Sequence, residues 1–159
     1  MWLYITLMII PSVYSVLSVS KNIKSSTFFF LGFSIILFFI LGLRHKVGGD
    51  WLNYLFIYEN INDYFNPISL NFLESDYLYD LINWIAFNNS LGFVSVNLAN
   101  TMIFIIGLYF FASKQLQPSM VYLVAVPYLI IVVSTGYVRQ ASALAFFLIG
   151  IHYLINKNY

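Results

Sequence analysis

Cysteine is absent from this 159-residue sequence, which removes disulfides, thiolate metal sites and a cysteine nucleophile from consideration. Charge is scarce as well. Asp, Glu, Lys and Arg make up 8% of the chain, against about 25% in an ordinary soluble domain. With 61% hydrophobic residues, there is too little polar surface to cover a water-soluble globule, and a membrane protein is expected. No basic stretch exceeds three residues, so the net charge of +1 does not suggest nucleic acid as a partner. Two histidines and scattered acids lack metal-ligand spacing, and neither a metal nor another cofactor is expected. There is no nucleotide-type glycine loop and no Gly-x-Ser-x-Gly, which leaves nucleotide-sugar chemistry without support.

What the chain has is apolar runs. A bilayer-crossing helix needs roughly 17 to 25 mostly apolar residues. Five segments reach or approach that length: Trp2 to Val19 with Pro11 inside, Thr27 to Leu43, Val94 to Ala112, Met120 to Thr135 with Pro127 inside, and Ala141 to Ile155. The first run carries no positive charge before it, and Lys21 and Lys24 follow it. That is the pattern of a retained first helix with its N-terminus outside, not of a cleaved leader. The expected fold is all-α: a polytopic helical membrane protein of about five transmembrane helices. Interfacial helices are expected in an outer loop, residues 44–80, between the second and third spans. Residues 1–159 read as a single membrane domain.

The short apolar piece Tyr77 to Phe87 decides the topology. Asp76, Asp80 and Asn83 fall at i, i+4 and i+7, a single helical stripe that a crossing helix would have to bury. We expect this piece to lie at the interface. Lys21, Lys24, Lys114 and Lys157 then face the cytoplasm, which is four of the seven basic residues and the side they favour. Arg44, Lys46 and Arg139 face outward. All six acids, Asp50, Glu59, Asp63, Glu74, Asp76 and Asp80, fall in the outer loop. Carboxylate chemistry is confined to that face. Trp51 to Phe65 mixes aromatic and polar residues and reads as a helix lying on the outer leaflet, closed by a turn at Pro67 and Ser69.

Two clusters could carry chemistry. The first is Arg44-His45-Lys46-Val47-Gly48-Gly49-Asp50-Trp51, at the end of the second span. Its cations suit a lipid phosphate or pyrophosphate, which Arg grips with paired hydrogen bonds, and Gly48-Gly49 lets the backbone approach a ligand. Alternatively, Arg44 and Lys46 are ordinary anchors at a span end. Asp50 is either a general base for a sugar hydroxyl or the N-cap of the following helix. The second cluster is Gly136-Tyr137-Val138-Arg139-Gln140. Arg139 is the lone charge between Lys114 and Lys157 and must be paired, wet or functional; otherwise it is a snorkelling anchor. His152, alone in the last span, reads as a packing residue.

The stretch Leu43 to Tyr54 resembles the opening motif of the EpsG family, which is similar to Wzy-type polysaccharide polymerases: Arg, a short spacer, Val-Gly-x-Asp, an aromatic, then x-x-Tyr. Glu74-Ser75-Asp76-Tyr77, leading into Leu81-Ile82-Asn83, resembles the family's acid-then-aromatic element. Gly136 to Ala141 resembles its Gly-x-x-Arg-Gln element. The three occur in the family's order across nearly the whole chain. The resemblance implies an enzyme of exopolysaccharide, capsule or O-antigen assembly in the bacterial inner membrane. It would join repeat units carried on undecaprenyl pyrophosphate, among membrane lipid and other polysaccharide-assembly proteins. On this reading Arg44 and Arg139 hold the pyrophosphate. Asp50 activates the acceptor, with His45 as its rival. Lys46, Gly48, Trp51, Tyr54, Glu74 and Gln140 line the substrate. Family members are about twice this length, so the front part of a longer polymerase is expected. A transporter of lipid-linked glycans, or a non-catalytic membrane subunit, is the competing reading. The transporter would need polar groups along a path through mid-membrane, where Asn97 and Asn100 are the chief candidates.

Overall fold

The computed structural model describes residues 2–20, 27–67 and 76–156. Among these residues every regular element is a helix and there is no strand. Helix α1 is Trp2–Ser20, α2 is Thr27–Gly42, α3 is Trp51–Glu59, α4 is Ile61–Tyr64, α5 is Tyr77–Asn88 and α6 is Phe93–Ser113. Helix α7 is Pro118–Gly136, and α8 is Val138–Asn156. Helices α6 and α7 are long and apolar enough to cross a membrane, and shorter apolar helices cover Tyr4–Ser18, Phe28–Gly42 and Val138–Leu154. Large apolar side chains also face outward along these helices: Phe28, Ile35 and Phe39 on α2, Met102 and Ile106 on α6, Val124 and Val132 on α7, and Phe147 on α8. So much exposed apolar surface suits lipid better than water.

Contacts at the helix ends give the running directions. Ser119 at the start of α7 donates to Ser15 late in α1, at 3.3 Å. Phe30 and Phe33, early in α2, pack their rings on Tyr122, and Ser34 bonds its hydroxyl at 2.8 Å. At the opposite end, Gly42 closes α2 against Leu98 of α6, and Ser142 of α8 donates to Asn100 of α6 at 2.7 Å. The end of α2, the start of α6, the end of α7 and the start of α8 therefore meet at one end of the bundle. Small residues set the spacing. Gly107 of α6 lies so close to Ala145 of α8 that a Cβ there would stand 2.6 Å from its Cα, the close approach that small residues allow between apolar helices. Leu37, Phe104, Tyr122, Val126 and Ile130 fill the core between.

A second, aromatic core caps this end. Trp51 and Tyr54 of α3, Tyr79 and Ala86 of α5, Phe93 and Val96 of α6, and Val138 of α8 pack together. Helix α5 packs at this end, with Asn83 of its polar stripe buried. Its N-terminal Tyr77 hydroxyl reaches the Pro67 carbonyl, and its C-terminal Asn88 reaches Asn62 at 3.2 Å.

Three local details depart from the sequence expectation. The surface helix expected over Trp51 to Phe65 breaks at Asn60, whose side-chain amide donates to the Phe56 carbonyl at 2.8 Å, competing with the helix's own bonds. Helix α8 begins three residues before the expected Ala141, placing Arg139 and Gln140 in its first turn. Across Val126–Val133, α7 widens into a π-type register. Pro127 has no N–H to give the preceding turn, and a wider turn accommodates that loss.

Candidate functional site

The site starts where α7 ends. The last carbonyls of a helix have no partner within it and carry partial negative charge. Arg44, just past α2, meets that need. Its guanidinium donates through Nη1 to the Ser134 carbonyl and through Nη2 to Asn97 Oδ1 at 3.5 Å. The side chain is 7% exposed. Burial lowers its proton affinity from the ordinary arginine value, and nearby Tyr54 and Tyr79 act in the opposite sense; a guanidinium remains charged under such a shift. Arg44 is thus not an anchor in open solvent. It caps α7 and ties three helices together, with Nε left without a partner.

The loop after Arg44 lies on the same turn. Gly48 has a φ of +108°, and its Cα faces the Thr135 carbonyl and the Gly136 Cα so closely that no Cβ fits. Gly49 has open space around it, so of the two glycines only Gly48 is required by contact. His45 and Lys46 are exposed, with His45 set edge-on to the buried Trp51 ring at 5.5 Å. Asp50 takes the N-cap position of α3 but makes no side-chain capping bond.

Arg139 approaches from α8. Its Nη1 donates to Asp76 Oδ2 at 2.5 Å, and the two side chains are 43% and 56% exposed. An exposed pair of this kind is worth about 0.2–1 kcal/mol. The guanidinium carbon also stands 5.6 Å from the Tyr54 ring centre and 6.0 Å from that of Tyr79, within cation–π range. Tyr54 belongs to the first motif, so the first and last motifs meet here. Burial pushes the Tyr79 phenol far above its usual range, so it stays protonated. Gln140 is exposed beside Arg139.

Next to Arg139 is a groove of about 310 Å³, lined by Asp76, Tyr77, Leu78, Tyr79, Arg139, Ser142, Ala143 and Phe146. From Arg139 to Phe146 it follows α8 for roughly 10 Å at the helical rise. Its wall changes along that length from charged and phenolic to apolar.

The EpsG family model matches residues 27–159. The chain belongs to the EpsG family. No curated protein and no solved structure matches it. The matched region takes in both arginine motifs, the aromatic cap and the groove.

Sequence reasoning named both arginines but missed their partners. Ser134 and Tyr79 carry no local sign of a site, and Asn97 stood out only as a polar group within a span; each matters through a residue far off in sequence. Asp76 was visible as part of a polar stripe, which speaks to topology and not to Arg139. Glu74, together with Ser69 and Lys21, Lys24 and Lys157, falls outside the described residues. His152 packs edge-on to Phe110 and Tyr153. Among the described residues no group of three or more His, Asp or Glu side chains is placed to hold a metal ion.

Proposed function

We propose that this EpsG-family protein is a polysaccharide-polymerase-type glycosyltransferase. It joins glycan repeat units carried on undecaprenyl pyrophosphate at the outer face of the bacterial inner membrane. In this reading α1, α2, α6, α7 and α8 cross the bilayer and α3 to α5 rest on the outer face. Arg44, Lys46 and Arg139 then sit at that face and Lys114 at the other. The observation that carries the proposal is Arg139, paired with Asp76 beside the rings of Tyr54 and Tyr79, on the wall of a groove that runs from charged to apolar. A lipid-linked pyrophosphate has the same polarity along its length: an anionic head and an apolar tail.

In the reaction, an acceptor hydroxyl attacks the donor's anomeric carbon, and the bond from that carbon to the pyrophosphate oxygen breaks. Arg139 contacts the head and stabilises the departing charge. Arg44 works from behind, its positive charge buried and its position fixed by Ser134 and Asn97. Lys46 adds exposed positive charge, and Gly48 holds the loop against α7. Trp51 and Tyr54 belong to the aromatic core beneath this end, and Gln140 stands exposed beside Arg139. The family resemblance offers Asp50 and His45 as proton acceptors, but neither lines the groove. Asn97 accepts from Arg44 and Asn100 from Ser142, which supports the polymerase reading over transport.

The test is Arg139→Gln. A charge-assisted hydrogen bond contributes about 1.5–3 kcal/mol, so undecaprenyl pyrophosphate should bind roughly 10- to 100-fold more weakly to the purified variant, and surface polymer should shorten. Unchanged binding together with full-length polymer would remove the proposal.

A further inference from the structure

We propose that Asp76, not Asp50, takes the proton from the acceptor hydroxyl, and that Arg139 keeps it in reserve until the anionic head arrives. This rests on the glycosyltransferase reading above. Among the acids in the described residues, Asp76 alone lines the groove. Asp50 sits at the start of α3 and is not part of that wall.

The common structural role for an acid in this position is not being filled. Asp76 stands at the N-cap of α5, where a carboxylate ordinarily bonds the helix's first N–H groups, yet it makes no such bond. Its observed partner is Arg139, at 2.5 Å, in a pair more than two-fifths exposed on both sides. Solvent and salt weaken a pair of this kind. A pyrophosphate offers Arg139 several charged oxygens in the fork geometry it prefers. The rings of Tyr54 and Tyr79 lie beside the guanidinium, so it can turn from carboxylate to phosphate without leaving the site. That turn uncovers the carboxylate lone pairs on the groove wall, next to the bound head, where the acceptor must approach. The base is therefore exposed only when a donor is present.

The step balances with the groups named. The acceptor oxygen bonds to the anomeric carbon, and the carbon–oxygen bond to pyrophosphate breaks with its electron pair on the phosphate oxygen facing Arg139. The acceptor proton passes to an Asp76 carboxylate oxygen and then to water.

The experiment compares Asp76→Asn, Asp76→Glu and Asp50→Asn in the full chain. Two readouts are taken: binding of undecaprenyl pyrophosphate by the purified protein in lipid nanodiscs, and surface polymer in source cells lacking their own copy. Asp76→Asn should bind the probe at least as tightly as wild type, since Arg139 is released, while polymer falls about 100-fold or more, the usual contribution of a general base. Asp76→Glu should recover part of the polymer, and Asp50→Asn should keep most of it. Near-normal polymer from Asp76→Asn would overturn the proposal, as would loss of binding in that variant, which would reduce Asp76 to a support for Arg139. A Glu variant no better than the Asn variant would also overturn it. Wild-type protein that fails to bind undecaprenyl pyrophosphate would instead sink the glycosyltransferase reading itself.

Discussion

Gly48→Ala tests the docking of the first motif on the end of α7. Two costs combine at this position. The backbone φ is +108°, a region that side-chain-bearing residues rarely enter, at roughly 1–3 kcal/mol. The new Cβ would also press on the Thr135 carbonyl oxygen and stand 3.2 Å from the Gly136 Cα. Those are backbone atoms, which cannot swing aside as a flexible side chain would. The loop must lift off the turn, and Arg44 is then drawn from Ser134. A loss of about 2–3 kcal/mol corresponds to an unfolding midpoint lower by roughly 5–10 °C for a chain of this size. The assay is thermal unfolding of the purified protein in detergent, with Gly49→Ala run beside it. A Cβ on Gly49 meets nothing within 4 Å, so that variant should unfold within about 2 °C of wild type, as surface changes usually do. Equal midpoints for the two alanine variants would refute the docked geometry.

The other predictions concern helix packing and the two arginines. Gly107→Ala should separate α6 from α8, because its Cβ would stand 2.6 Å from the Ala145 Cα and 2.7 Å from its carbonyl oxygen; a loss of about 1–3 kcal/mol by thermal unfolding is expected. Gly150→Ala, with nothing within 4 Å, should be neutral or slightly stabilising by the same measurement. Arg44→Gln strips the buried partner from Ser134 and Asn97 and should cost about 3 kcal/mol. Arg139→Gln breaks only an exposed pair and should move stability by less than about 1 kcal/mol. Equal loss from the two arginine variants would contradict their assigned places.

Much of the fold was legible because apolar run length is a direct physical requirement. The helix ends lie within a few residues of those expected, and α5 packs at one end of the bundle, although Asn83 of the polar stripe is buried there. The π-type stretch after Pro127 was less accessible, since proline marks a disturbed turn without saying which register relieves it. The site was half legible. Arg44 and Arg139 stood out because a cation beside apolar helices needs a reason. Arg44's burial did not follow from its position after a span, where arginines commonly face water; it depends on the α7 terminus folding back over it. The Arg139 partner lies 63 residues away in sequence, and only the placement of α5 across the bundle end brings Asp76 to it. Asp50 read most naturally as a helix cap, yet it occupies that position without making the bond.

The sequence has no cysteine, so one introduced thiol reports one position without background. His45→Cys and Gln140→Cys place thiols at exposed positions beside Arg44 and Arg139, and Leu116→Cys places one at the fully exposed turn between α6 and α7. A membrane-impermeant maleimide applied to intact cells should label positions 45 and 140, and should label 116 only after permeabilisation. If 45 and 140 label from opposite sides of the membrane, the two arginine motifs do not form one site and the account fails.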